Sequence, residues 1–355
     1  MHSQDVIERL SSSHDFLALT RQYPDFLPEA QFVISPNGHD INVVVTDTGI
    51  ISFDPVTKHV DNQSAKDIVL SCAVHGNETA PIEICDALIK SLFKGELDLS
   101  HRTLFLFGNP DAINNGTRFI EENMNRLFMG AHSKAPGLVN KERKRAKQLE
   151  DVVTQFFEQG SNNHNIHYDL HTAIRGSYHQ KFAVYPLLHG DKTWQKSQFE
   201  FLLACGIDTV LLSESTTTTF SYFSSTTFDA DAFTIELGKV KPFGENKQSD
   251  FEQAHNTLAR LISGADMQLK PYDASQFNIF TIHQTINRHH EAFSLSFDDD
   301  VKNFTPFAKG DLLATDGDVK HVAQQDGEAI IFPNANVAIG QRALLTVVKT
   351  DIEPV

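Results

Sequence analysis

The chain has 355 residues, enough for about two domains, and 40% of them are hydrophobic against 21% charged, which excludes wholesale disorder. With 30 Lys and Arg against 46 Asp and Glu the formal charge is −16, which disfavours a general nucleic-acid binder. An anionic ligand would have to be met by a local cluster of Arg or Lys. The three cysteines, Cys72, Cys85 and Cys205, are too few and too scattered for a disulfide framework or a thiolate zinc site, and two of them, in apolar runs, are most simply buried thiols.

In chain order, residues 8–23 read as a helix or helix pair and 31–53 as hairpin-like strands turning near Gly38. The nearly continuous apolar run at 67–74 is the mark of a strand buried on both faces. Residues 81–93 carry Ile82, Cys85, Leu88, Ile89 and Phe93 at helical spacing, with Thr79 as cap and Pro81 in the first turn. A buried strand at 102–108 and a helix at 140–159 follow. Further strands fall at 166–170, 182–185, 210–212 and 232–237, with helices over 199–205 and 250–262. This alternation predicts an α/β sheet covered by helices. After Gly264 the character changes to short β-rich runs at 277–286, 312–314, 329–332 and 343–348, and a small all-β second domain is expected beyond a boundary near 265–271.

Two stretches are compositionally unusual. The run Lys141-Glu142-Arg143-Lys144-Arg145-Ala146-Lys147 is read as a solvated helix face rather than a nucleic-acid patch, given the global charge. The Ser/Thr-rich segment 213–227 is read as a loop, either facing substrate or plainly on the surface. Nothing near the N-terminus resembles a secretory signal, and no run reaches the ~18 apolar residues of a membrane span, so a cytoplasmic location is expected.

The most informative fragment is His75-Gly76-Asn77-Glu78, between a predicted buried strand and a predicted helix. That places it at the carboxyl end of a strand, where open α/β sheets hold ligands. A His and a carboxylate three residues apart can meet one metal if the chain turns between them, and Gly76 eases that turn. A second strand ends in Asp169-Leu170-His171, and two His with one carboxylate is a donor set common in zinc hydrolases. Asp169 falls on the same side as His171 and is positioned to accept from the far nitrogen of a ligating His, His75 being the expected partner. Glu236 ends another apolar strand. It is either an acid serving such a site or an outward-facing residue paired with Lys239. No G-x-S-x-G elbow appears, which argues against a serine hydrolase.

The stretches HGNETAP (75–81), GNP (108–110), MNRLF (124–128), DLHTAIRGS (169–177) and ELGKVKPFGEN (236–246) occur in the order seen in a known family. With Ile331-Phe332-Pro333-Asn334 they extend the likeness over nearly the whole chain. The sequence resembles the succinylglutamate desuccinylase/aspartoacylase family of the zinc carboxypeptidase-like superfamily. Its DLHTAIRGS and ELGK forms look closer to the succinylglutamate branch. The resemblance implies an α/β mixed sheet flanked by helices over 1–265 and a smaller C-terminal all-β domain over 266–355. It also implies one Zn2+ held by His75, Glu78 and His171, with cobalt or manganese able to use the same ligands. Glu236 would be the general base, and Asn125, Arg126 and Arg118 would lie beside the substrate.

The implied reaction is hydrolysis of N-succinyl-L-glutamate to succinate and L-glutamate, the last step of succinyl-dependent arginine catabolism. The alternatives are a related acyl-amino-acid deacylase of the aspartoacylase type, a metallocarboxypeptidase or a non-catalytic relative. The implied partner is a small tricarboxylate, with neither nucleic acid nor membrane, and oligomeric state is unreadable. Arg118, Arg126 and Arg175 are the cations expected to meet those carboxylates, since Arg forms planar bidentate pairs. The C-terminal domain either shapes the mouth of the site or serves as a structural or oligomerisation module.

Overall fold

A strand that is apolar at every position must be covered on both sides. The computed structural model, which describes residues 1–57, 65–160, 164–190 and 192–355, meets that requirement with helices on each face of one long sheet. The chain opens with α1 (Ser3–Ser13), α2 (Phe16–Gln22) and an antiparallel meander of β1 (Ala30–Ile34), β2 (Ile41–Asp47) and β3 (Ile50–Pro55). Then follow β4 (Lys66–Cys72), α3 (Thr79–Lys94), β5 (Arg102–Phe107), the short α4 (Pro110–Asn115), α5 (Lys141–Gln159) and β6 (His164–Ala173). The next elements are β7 (Phe182–Tyr185), α6 (Lys196–Ala204), β8 (Thr209–Leu212), α7 (Phe220–Phe228), β9 (Asp231–Lys239) and α8 (Gln248–Ser263). Among these elements no helix is long and apolar enough to cross a membrane.

Strands β5, β4, β6 and β9 run parallel and adjacent in that order. Their alternating side chains separate two cores. Ile68, Leu70, Phe105, Tyr168 and Ile235 join the core beneath α3, α6 and α8. Val69, Leu104 and Leu106 face the opposite core beneath α5 and α7. On that second face the strand positions turn polar toward the carboxyl edge. Ser71, Asp169, His171, Thr234 and Glu236 all lie there, buried.

The residues after Gly264 form β10 (Asn278–Asn287), β11 (Phe293–Leu295), β12 (Pro306–Phe307), β13 (Leu312–Asp316), β14 (Val319–Val322), β15 (Glu328–Ile331) and β16 (Arg342–Lys349). The segment is all-β apart from one 3-10 turn, and its longest strand continues the main sheet. β10 pairs in parallel with β8, and β16, β15 and β12 follow, giving 13 strands in all. β11, β13 and β14 make a second, small sheet, with Leu313, Ile330 and Leu344 packed between the two sheets.

Three expectations need correction. Glu78, not Thr79, holds the N-cap position of α3, and the Thr79 hydroxyl donates instead to the Lys241 carbonyl at 2.7 Å. The Ser/Thr-rich segment is not all loop, because Phe220–Phe228 is a helix packed on the sheet. Its serines point inward, Ser221 to Thr234 and Ser224 to His167, so the usual polar-out pattern is inverted and the helical period is masked. The basic run is solvated only at its lysines. Arg143 pairs bidentately with Glu122 at 2.7 and 2.9 Å, and Arg145 donates to the carbonyls of Thr48, Phe107 and Gly108.

Arg145 therefore clamps the β2–β3 turn to the end of β5, and burial lowers its pKa to about 10. Replacing Arg145 by Met strands three acceptors. It should lower the unfolding free energy by about 2–4 kcal/mol in urea titration. Lys144→Ala, at an exposed position on the same helix, should stay within about 0.5 kcal/mol of the parent chain.

Candidate metal centre and its cavity

The parallel trio β4, β6 and β9 ends on one edge of the sheet, and each strand delivers a functional side chain there. His75 and Glu78 come from the turn between β4 and α3. His171 lies near the end of β6, with Glu236 as its register partner on β9. The turn leaves β4 through Ala73 at φ 57° and then runs against α4. A Cβ on Gly76 would sit 2.1 Å from the Ala112 carbonyl carbon, so this glycine is demanded by close backbone approach rather than by turn freedom.

One nitrogen from each of His75 and His171 and a carboxylate oxygen of Glu78 lie within 4.8 Å of one another, close enough to share a metal ion, and all three residues are buried. Both imidazoles direct Nδ1 toward the Glu78 carboxylate, at 2.9 Å for His75 and 3.0 Å for His171. Both Nε2 atoms are held from behind. His171 Nε2 lies 2.8 Å from Asp169 Oδ2, and His75 Nε2 lies 2.9 Å from Asn123 Oδ1. The expected pairing of Asp169 with His75 is thus replaced by Asp169 with His171, because the two residues share one face of β6. Asn123, which the sequence reading missed, serves His75. With Nε2 of His75 donating to Asn123, the His75 Nδ1 lone pair is the one turned inward.

His75 Nδ1 lies near Glu78 but off the hydrogen-bond direction, so it is a buried nitrogen without a hydrogen-bond partner. Burial, with the Arg118 charge, lowers the His75 pKa to about 4 and keeps the ring neutral, as metal ligation requires. Burial also disfavours charge on His171, but the carboxylates of Asp169 and Glu78 outweigh it and raise that pKa well above its ordinary value. Two imidazoles and a carboxylate, converging in a buried place with an unpartnered lone pair, fit a divalent cation of the zinc type.

Behind this cluster, Asp169 Oδ1 accepts from Ser71 at 2.6 Å. Ser71 in turn meets His167 at 2.8 Å, and His167 meets Ser224 on α7 at 2.6 Å. In front lies a cavity of about 810 Å³ lined by His75, His171 and Glu236. Glu236 Oε2 is buried without a partner. Burial first, and the nearby Glu78 charge second, raise its pKa to about 7.

The expected substrate residues all line this cavity, in different circumstances. Arg118 donates to Glu78 Oε1 at 2.7 Å, at the edge of the cluster. Asn125 is buried, with an unpartnered Oδ1. Arg126 donates to the Asn125 carbonyl and has no carboxylate partner among the described residues. Burial, then the Arg118 charge, lowers its pKa to about 10. Arg175 differs, since its guanidinium reaches across to the carbonyls of Asp298 and Val301 and to Asp299. It ties the end of β6 to the C-terminal β segment. Lys239, Lys302 and Arg342 also line the cavity, so its cations outnumber its acids, Glu236, Asp299 and Asp300, within a chain of charge −16.

Residues 64–262 match the model of the succinylglutamate desuccinylase/aspartoacylase catalytic domain, and residues 275–350 match the AstE/AspA barrel-sandwich hybrid domain. The chain belongs to the succinylglutamate desuccinylase/aspartoacylase family. It is 51% identical over 345 residues to the succinylglutamate desuccinylase of Shewanella denitrificans, covering 97% of this chain and 98% of that one. The relative of the same name from Idiomarina loihiensis is 51% identical over 341 residues, with 96% and 97% covered. Among solved structures, the succinylglutamate desuccinylase of Vibrio parahaemolyticus superposes with a TM-score of 0.83 at 34% identity, over 96% of each chain. That of Chromobacterium violaceum gives 0.82 at 37% identity, over 96% of this chain and 99% of the other. The mixed α/β sheet with a C-terminal β unit is therefore the family's architecture in this member too.

Two features of the site had little sequence signal. Asn123 lies just before the MNRLF stretch, where a short 3-10 turn carries it under His75. The contribution of the C-terminal segment, from Asn303 through Phe332 to Arg342, depends on a sheet pairing between residues far apart in sequence. The close approach at Gly76 yields a test. Gly76→Ala should destabilise the chain by more than about 2 kcal/mol in thermal or urea unfolding, because the Ala112 backbone cannot yield without moving α4.

Proposed function

We propose that this chain hydrolyses N-succinyl-L-glutamate to succinate and L-glutamate, the last step of succinyl-dependent arginine breakdown. The observation that carries the reading is the convergence of a buried His/Glu/His cluster, an unpartnered carboxylate and a cluster of cations on one cavity. Support comes from relatives about half identical over nearly the whole chain. We also take 1–265 as the catalytic domain and 266–355 as the C-terminal β domain, a division that falls between the two family-matched regions.

His75, Glu78 and His171 would hold one zinc ion, with Asp169 and Asn123 fixing the rings. Zinc in such a site supplies Lewis acidity, polarising an amide carbonyl and acidifying a water. Glu236 acts as the general base. A carboxylate poised near pH 7 can take the proton of an attacking water and then deliver it to the departing glutamate nitrogen. Arg126, with no carboxylate partner among the described residues, would face the oxygen that gains negative charge. Asn125 beside it orients the substrate through a polar side chain whose Oδ1 is otherwise idle. The cationic lining concentrates a trianion that the outer surface repels.

The purified protein should release glutamate from N-succinyl-L-glutamate and not aspartate from N-acetyl-L-aspartate. Chelation should abolish the release and zinc should restore it, whereas equal turnover of both substrates would replace the assignment with a broader deacylase. Glu236→Gln should lose about 10²–10⁴-fold in turnover while binding a full equivalent of zinc. His75→Ala should instead lose the metal, as elemental analysis would show.

A further inference from the structure

Arg342 opens β16, directly across from Asn287 on β10, and lines the cavity from the C-terminal side. Its Nε is buried with no hydrogen-bond partner. No carboxylate among the described residues pairs with it, and its neighbour is the Phe332 ring, 5.7 Å from the guanidinium carbon. Burial, and then the charges of Arg126 and Arg118, hold its pKa well below the ordinary arginine value. A guanidinium whose Nε is buried and unpartnered, and which feels the charge of two others, is costly unless an anion completes it. Arg118 already has Glu78 as a partner, so Arg126 and Arg342 are the two guanidinium groups left without one.

The surroundings hold Arg342 in place. Phe332 adopts φ 52°, a left-handed conformation unusual for a bulky residue, and its N–H donates to Asn303 Oδ1 at 3.0 Å. Asn303 is itself buried and bridges to the strand-end segment after β6, donating to the Gly176 carbonyl and accepting from Tyr178 N–H. Arg175 reinforces that junction through its contacts with residues 298–301. The loop carrying Phe332 is thus tied to the same edge of the sheet that carries His171.

We propose that Arg342 binds one carboxylate of the acyl-amino-acid substrate, so that the C-terminal β segment completes the specificity pocket. Its planar fork suits a carboxylate, and no protein acid competes for it. Substrates lacking that carboxylate are rejected because they would leave the Arg342 charge and its buried Nε unmatched. This inference rests on the proposed hydrolysis for its substrate.

The experiment compares wild type, Arg342→Gln and Arg342→Lys as zinc-loaded full chains. The substrates are N-succinyl-L-glutamate and its three monoamides, each with one carboxylate replaced by carboxamide. Wild type should favour the triacid over each monoamide. Arg342→Gln should lose about 10²-fold in kcat/KM on the triacid, and at one of the three positions it should no longer distinguish acid from amide. Arg342→Lys should fall between the two. Calorimetric titration with succinate and with L-glutamate should show at least tenfold weaker binding of one product to the variants.

Zinc content and melting temperature establish that the variants are folded. If Arg342→Gln does not fold, Arg342→Lys and the product titrations decide the matter. Wild-type discrimination at all three positions and unchanged product binding in a folded variant would overturn the role of Arg342. An inert wild type would overturn the hydrolytic reading instead, and succinate and glutamate titration of the three proteins would still judge whether Arg342 holds a carboxylate.

Discussion

A single buried carboxylate organises the site. Glu78 sits against both imidazoles, accepts from the Thr172 backbone N–H at 3.0 Å and accepts from Arg118 at 2.7 Å. It therefore joins the turn after β4, the end of β6 and the segment after α4. Isolated, such a carboxylate would be untenable in a protein interior. Matched by the His171 ring nitrogen, a backbone donor and a guanidinium, it becomes the point from which the cluster is built. The histidines are braced from their far sides by Asp169 and Asn123.

The sheet explains why this cluster meets an unpartnered carboxylate and a pocket. Three adjacent parallel strands end on one edge, and the alternation of their side chains sets hydrophobic residues on one face and polar ones on the other. Glu236 reaches the cluster because β9 lies beside β6 with Glu236 opposite His171. The Ser71–His167–Ser224 chain continues the polar face inward under α7, where each of its members finds a partner. A helix rich in serine is stable there because its serines meet polar strand positions.

Charge follows the same division between surface and interior. The chain is acidic overall, yet the cavity collects arginines and lysines from both the central sheet and the C-terminal strands. Pairing β10 with β8 extends the sheet past the helical layers and brings Arg342 and the Phe332 loop over the opening. The C-terminal segment is thus continuous with the central sheet and part of the cavity wall.

Much of this was legible in the residues. Apolar runs and helical spacing located the strands and helices that carry the site, to within a few residues, because burial on two faces leaves a strong local pattern. His75, Glu78, His171 and Glu236 stood out because each lies at or just beyond the end of an apolar run, where an unexplained acid or imidazole is conspicuous. Other features were not local. Whether Asp169 served His75 or His171, why Gly76 is required, that α7 is a helix and that Arg143 and Arg145 are clamps all depend on what another part of the chain places opposite. Arg342 is the clearest case. Its own neighbours in sequence are those of an ordinary strand, and only the long-range pairing of β10 and β16 puts its charge in the cavity. Side-chain type and spacing are written along the chain, whereas the partner of a buried charge exists only once distant strands have come together.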